Sequence, residues 1–295
     1  MVFGGAWGLG GFERGKGDTM GIPGAGLRRC ALAILAVMAA SVATGALAQS
    51  DSDQLAKELS NPVANLISVP FQFNAAFGGG PEDDGEWYTL NIQPVIPISI
   101  APDWNLIVRT IVPVTGRENV LAPDTSEWGF GNILQSFFFS PKAPTAQGLI
   151  WGIGPAFNYP TSTDPLFGPG KWGAGPTAVA LLQKGKVTAG VLANQIWSFE
   201  DSDNADGINN AFVQPFFSYS LGKGLMFNAN IQATYNWVAH DWNAPLNVGF
   251  SQVFHVGRQA MSFQVAGTYY LAKPDAGPDW GVQSTLTFLF PTGKK

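Results

Sequence analysis

The chain is short of charge. Only 13% of its 295 residues are Asp, Glu, Lys or Arg, about half the share of an ordinary soluble domain. One cysteine, Cys30, excludes a disulfide scaffold. A formal net charge of −5 with no basic run argues against a nucleic-acid partner. Past the N-terminal region no window holds 18 apolar residues without a polar one, so transmembrane helices are absent. Mean hydropathy is +0.09, too low for a helical membrane protein. What the chain does have is 36 glycines, 10 tryptophans, 21 phenylalanines and 46% hydrophobic residues. That balance excludes disorder and a coiled coil. Two classes remain: a soluble all-β protein, or a transmembrane β-barrel whose alternating strands dilute average hydropathy.

The N-terminal region carries a secretory pattern. Arg28 and Arg29 precede Cys30 and an apolar run from Ala31 to Ala40, and Ala46-Leu47-Ala48 follows. A basic segment, an apolar segment and an A-x-A site make a signal peptide, and the run is too short for a transmembrane anchor. Cleavage after Ala48 removes Cys30, and no Leu-Ala-Gly precedes that cysteine as in a lipoprotein. Met20 is the expected start, which makes residues 1–19 an upstream extension and 20–48 the signal peptide.

Alternation with period 2 dominates the rest. From Leu225 to Trp237 one face carries Leu225, Phe227, Ala229, Ile231, Ala233, Tyr235 and Trp237, and the other Asn228, Asn230, Gln232, Thr234 and Asn236. A strand sorts successive side chains this way and a helix does not. The pattern predicts twelve strands, over 66–77, 86–99, 104–115, 127–140, 148–159, 172–183, 186–198, 209–221, 225–238, 245–256, 259–271 and 280–290. Each is long enough to cross a bilayer at a tilt. Pro94, Pro97, Pro155, Pro176 and Pro215 fall inside them and predict bulges or weak pairing.

Connections alternate in length. Short turns at 101–103, 184–185, 222–224 and 257–258 interleave with loops at 78–85, 116–126, 160–171, 199–208, 239–244 and 272–279. The acids concentrate in or beside those loops, whereas Arg109 is the one charge well inside a predicted strand. A soluble sandwich would carry Lys and Glu on its wet strand faces; here the polar face is Asn, Gln, Ser and Thr. Trp87, Trp128, Trp172, Trp197, Trp237 and Trp280 fall at long-loop ends, and Trp104 and Trp151 near short-turn ends. Two aromatic girdles of this kind mark the bilayer interfaces. The expectation is an all-β, transmembrane, antiparallel up-and-down barrel of about 12 strands over 66–291.

Residues 49–65 read differently. Leu55, Leu59 and Val63 recur at spacing four, Ser52 or Asp53 is the expected N-cap, and Pro62 ends the helix near Asn61. This segment is either a periplasmic stub or a plug inside the barrel. A metal reading of Glu200–Gly207 fails, because Ala205 and Asp206 stand where a calcium loop wants Asp or Asn and then Gly. Enzymatic chemistry would fall on His240 and His255. Ser251 shares a strand face with His255 at about 13 Å, too far for a hydrogen bond. No cofactor, no metal and no catalytic residue is expected.

Several blocks resemble one family. LAKELSNPVANLISVP from Leu55, YTLNIQPVIP from Tyr88, DWNLIVRTIVPV from Asp103, GFGNILQSFFFSP from Gly129 and GKWGAGPTAVAL from Gly170 are similar to bacterial outer-membrane proteins grouped under the meta-pathway of phenol degradation. The resemblance implies an outer-membrane channel, with aromatic or other hydrophobic compounds as suggested cargo. At Asn132 that family often carries an acid, so the chain departs from the pattern there.

The leading expectation is therefore a channel in the bacterial outer membrane for passive uptake or efflux of small, mostly uncharged or hydrophobic solutes, surrounded by lipid and lipopolysaccharide. Lumen candidates are Asn91, Gln93, Asn105, Arg109, Asn228, Asn230, Gln232, Asn236, Asn247, Gln264 and Gln283. Lipid at mid-membrane would penalise an outward arginine by about 2–4 kcal/mol, so Arg109 is assigned to the lumen. There it either selects anionic or carbonyl-bearing solutes, pairs with Asp53 or Glu58 of a plug, or rests hydrated among amides. The alternatives are a structural or adhesive barrel with a closed lumen, and an outer-membrane hydrolase.

Overall fold

A computed structural model describes residues 46–199 and 207–291. The predicted upstream extension, all but the end of the predicted signal peptide, and the acids Glu200 to Asp206 lie outside the described residues. One helix, α1 (Ala46–Leu59), precedes twelve antiparallel strands. In chain order the first six are β1 (Leu66–Phe77), β2 (Glu86–Ile92, continued by Val95–Ala101), β3 (Trp104–Glu118), β4 (Ser126–Phe130, continued by Ile133–Pro141), β5 (Leu149–Tyr159) and β6 (Gly173–Lys184). Then come β7 (Val187–Ser198), β8 (Asn209–Gly222), β9 (Leu225–Ile231, continued by Ala233–Asn236), β10 (Asp241–Asn243, continued by Pro245–Val256), β11 (Gln259–Tyr270) and β12 (Trp280–Pro291). Each strand pairs with the next. β12 returns to β1 in a register from Leu66↔Pro291 to Phe77↔Trp280, which closes the barrel. Closure leaves no open edge, the condition for a sheet in hydrocarbon.

The register sorts the side chains as the alternation predicts. Ile98, Phe139, Ile153, Leu182, Val213, Phe250 and Val282 are exposed on the outer wall. The outer wall also carries the girdles: Trp104 against Trp151 at the short-turn end, and Trp128 stacked on Tyr88, Trp172 against Tyr159 and Trp280 against Phe77 at the other. Trp87 is a correction. It pairs in register with Ala76 and Arg117 on the lumen face, and Tyr88, one residue on, takes the girdle position. Alternation, not proximity to a strand end, decides which ring reaches lipid.

The prolines act unequally. Pro94 lacks the N–H that would continue the ladder, and β2 breaks there. Ladder pairs are missing opposite Pro155, between Ser136↔Ala156 and Phe139↔Ile153, and at Pro176, between Ala174↔Trp197 and Thr177↔Asn194. Pro97 pairs in register with Ile107, and Pro215 with Val191, but on its β9 side the ladder skips Gln214 and Pro215, between Val213↔Ala233 and Phe216↔Asn230. β4 slips by one residue at Gly131–Asn132, where its sum of paired positions with β3 changes across the break. That is a β-bulge. Its extra residue, Asn132, accepts a hydrogen bond from the Ser162 amide at 3.1 Å. So the position where the resembled family often has an acid ties a loop to the bulge.

Two expected boundaries move. β3 runs to Glu118, and Asp241–Asn243 extends β10 into the expected loop by pairing with Thr234–Asn236. The β8–β9 turn places Lys223 and Gly224 both at positive φ, 59° and 75°. A type I′ hairpin turn needs this at both central residues.

Ile231 faces outward beside Leu246. Ile231→Lys should cost about 2–4 kcal/mol if it sits near the bilayer midplane, and Gln232→Lys much less. Urea unfolding in vesicles measures both; equal costs would contradict the assignment of faces.

Candidate functional site

The lumen is occupied at its short-turn end by the N-terminal segment. Leu55 and Ala56 of α1 are 4% and 3% exposed and pack, with Leu59, against Leu66, Met226, Val253, Ala260 and Leu289. These five come from β1, β9, β10, β11 and β12 and stand on the lumen faces near the short-turn ends; on β10 and β12 the exposed His255 and Pro291 lie farther out on the same faces. Further in, the same faces carry Ser68, Asn228, Ser251, Ser262 and Thr287. The lumen face thus changes from polar to apolar on five strands at one level, and this apolar ring is the socket for the helix. Burying a Leu stabilises docking by about 1.5–3 kcal/mol.

Polar contacts fix the helix in that socket. Asp53 Oδ1 accepts from the Gly224 amide at 2.6 Å. Gln183 Nε2 donates to Lys57 O at 2.8 Å, and the Ser60 and Thr188 hydroxyls lie 3.0 Å apart. The chain then crosses the lumen as a strap, residues 60–65. Val63, 5% exposed, enters a second apolar cluster with Ile107, Phe138, Val179, Leu181 and Leu192 of β3, β4, β6 and β7. The segment is a plug, stapled to both walls. Helix α1 begins at Ala46, so Ser52 and Asp53 lie within it and neither caps it. The Asp53 carboxylate serves the β8–β9 turn instead.

Above the plug the lumen is two-sided. On one side amides and hydroxyls bond each other across strands. Arg109 Nη2 donates to Gln93 Oε1 at 2.8 Å, Gln93 to Gln72 at 3.2 Å, Gln72 to Asn74 at 3.2 Å, and Gln283 to Asn74 at 2.9 Å. Gln264 reaches Gln283 at 3.5 Å. A second run joins Ser218 to Asn228 at 2.9 Å, Asn228 to Ser251 at 2.9 Å, Asn247 to Asn230 at 3.2 Å and Thr268 to Asn247 at 2.7 Å. Mutual satisfaction makes this wall stiff and fixes which donors stay free. The opposite side, on β5 to β8, is more apolar: Gly152, Gly154, Ala156, Val179, Leu181, Leu192 and Phe216 stand there with the scattered polar Thr177, Asn194 and Gln214.

Two cavities flank the strap. One, of about 190 Å³, lies over it and is lined by Glu58, Leu59, Gln93, Val95, Arg109, Leu192, Gln214 and Phe216 among others. The other, of about 280 Å³, opens toward the β4–β5 turn and is lined by Val63, Asn65, Asn105, Pro141, Lys142 and Ile150 among others. Asn61 and Ala64 line both, so the strap is the partition between them.

The sequence candidates divide accordingly. Gln93 and Arg109 line the first cavity; Asn105, whose buried Oδ1 has no partner among the described residues, lines the second. Asn228, Asn230, Asn247, Gln264 and Gln283 belong to the bonded wall. Asn91 lies on the lumen face beside Gln72, and Gln232 on the face of Asn230. Asn236 is spent on structure: its Oδ1 accepts from the Val238 and Ala239 amides. No ion pair joins Arg109 to the plug. Asp53 holds the Gly224 amide, and Glu58 accepts from Gln54 Nε2 at 2.7 Å. Glu58 nonetheless lines the same cavity as Arg109. The Ser251 hydroxyl accepts from Asn228, not from His255. Sequence reasoning missed Gln72, Asn74, Gln214 and the apolar socket, whose signal was an apolar residue near the short-turn end of five lumen faces.

No protein-family model and no curated protein sequence matches the chain. Solved structures do. An outer-membrane channel from Pseudomonas putida F1 superposes with TM-score 0.57 at 14% identity, over 76% of this chain and 94% of that one. Outer-membrane phospholipase A from Escherichia coli gives 0.42 at 12% identity, over 76% and 97%, and a FadL homologue from Pseudomonas aeruginosa 0.36 at 9%, over 77% and 90%. The first of these shares the barrel fold.

Leu55→Ala should release the plug without opening the barrel. Large-to-small core changes of this kind cost about 2–5 kcal/mol. Hydrogen exchange should speed up across 51–60 and stay slow in β1 and β12; equal acceleration in the strands would contradict a separately docked plug.

Proposed function

We propose that the protein is an outer-membrane channel for passive uptake or efflux of small, mostly uncharged or hydrophobic solutes, aromatic ones among them, and that it does no covalent chemistry. In this reading a signal peptide over 20–48, cleaved near Ala48, carries the chain to the outer membrane, where lipid and lipopolysaccharide surround the barrel. The observation that carries it is the pair of cavities separated only by the strap, inside a closed barrel with an apolar outer wall. A solute passes when the strap swings aside. A polar wall facing an apolar wall suits molecules with an apolar body and one polar group, since each side finds a matching surface. The likeness to the Pseudomonas putida channel agrees with this reading at the level of fold.

A second reading, a structural or adhesive barrel with a closed lumen, draws on the same strap. Planar-bilayer recording separates the two. The channel reading expects brief, small conductance steps from the intact chain and larger, longer steps once residues 49–61 are deleted. Silence from both proteins, with heat-modifiable migration retained, would favour the structural barrel.

A further inference from the structure

We infer that the cavity over the strap is a binding site for a small apolar monocarboxylate, docked on the Arg109 guanidinium. The inference rests on the channel reading for the ligand's route, but binding itself can be measured without transport. Arg109 is partly buried in the lumen wall, and its guanidinium donates to the neutral Gln93 amide oxygen at 2.8 Å. No carboxylate of a described residue lies within ion-pair distance of it. A desolvated guanidinium without an anion is costly, and its planar fork of donors matches a carboxylate in a way that a lone carbonyl does not.

The rest of the lining sets the class of ligand. Val95, Leu192, Phe216 and Leu59 offer apolar surface for a body, and Gln214 adds an amide. The volume, about 190 Å³, is below the roughly 300–1,000 Å³ of sites for drug-sized ligands, so the body is one ring or a short chain. Among the described residues, Arg109 and Glu58 are the only ionisable side chains lining the cavity. One cation beside one acid favours a monoanion and disfavours a phosphate dianion. Gln93 is already bound to Gln72, so its oxygen holds the guanidinium in place instead of turning toward the ligand. Glu58 comes from the plug, so an arriving carboxylate meets repulsion from the element that must move.

Fluorine NMR titration of the full chain in detergent with 4-fluorobenzoate tests this. Saturable binding is expected, displaced by benzoate and by hexanoate, and at least tenfold less well by benzamide or benzylamine. Arg109→Gln should weaken binding tenfold or more, Arg109→Lys less, and Glu58→Gln should strengthen it. Heat-modifiable migration checks that each variant folds, and the benzoate–benzamide comparison needs no variant. Equal binding of benzoate and benzamide, or unchanged binding in a folded Arg109→Gln barrel, would overturn the inference. Carboxylate binding without any conductance would sink the channel reading alone; conductance without carboxylate binding would sink this inference alone.

Discussion

Everything in this molecule follows from the need to pair backbone groups where no water can reach them. In hydrocarbon an unpaired N–H or C=O costs several kcal/mol, so the sheet must close, and the β12–β1 ladder closes it over twelve residue pairs. Closure forces a strict inside and outside on each strand. The outer face is then mainly apolar, with its few polar side chains paired to each other, as Gln135 is with Thr110 and Tyr159, and most polar residues occupy the lumen. They satisfy one another there in cross-strand pairs such as Asn247 with Thr268 and Gln283 with Asn74.

A lumen lined throughout by amides would have no purchase on a helix. The apolar residues at the short-turn end supply it. Leu66, Met226, Val253, Ala260 and Leu289 form a ring that would be exposed to water without α1, and burial of that surface holds the plug. Val63 does the same on the far wall. The plug is thereby fixed at two points with a crossing strap between them, and the strap is what separates the two cavities. Its crossing is short and lacks strand pairing, the features expected of an element that opens locally while the barrel persists.

The barrel was legible because lipid imposes period 2 without relief. The run Leu66–Phe77 matches its predicted bounds, and the Leu225–Trp237 faces sort as expected. Local chemistry also made the Pro94 break legible. What the sequence did not disclose depends on partners far along the chain. Asp53 looks like an N-cap, yet it binds a turn 171 positions away. Trp87 and Tyr88 both sit at a strand end, and only the register with Ala76 and Ala75 shows which faces lipid. Arg109 has a neutral partner, Gln93, that depends on the β2–β3 pairing around Pro94.

The central claim is that the strap bars the lumen and must move for a solute to pass. A Cβ at Gly152 would stand 3.3 Å from Val63 Cγ1, so cysteines at these two positions are near enough for a disulfide. The one native cysteine, Cys30, lies before the expected cleavage site. Swelling of liposomes containing the Val63→Cys, Gly152→Cys barrel, driven by a small uncharged solute, measures passage with the strap locked and released. The account predicts that oxidation stops swelling and that a reductant restores it. Equal swelling in the oxidised and reduced states would contradict it.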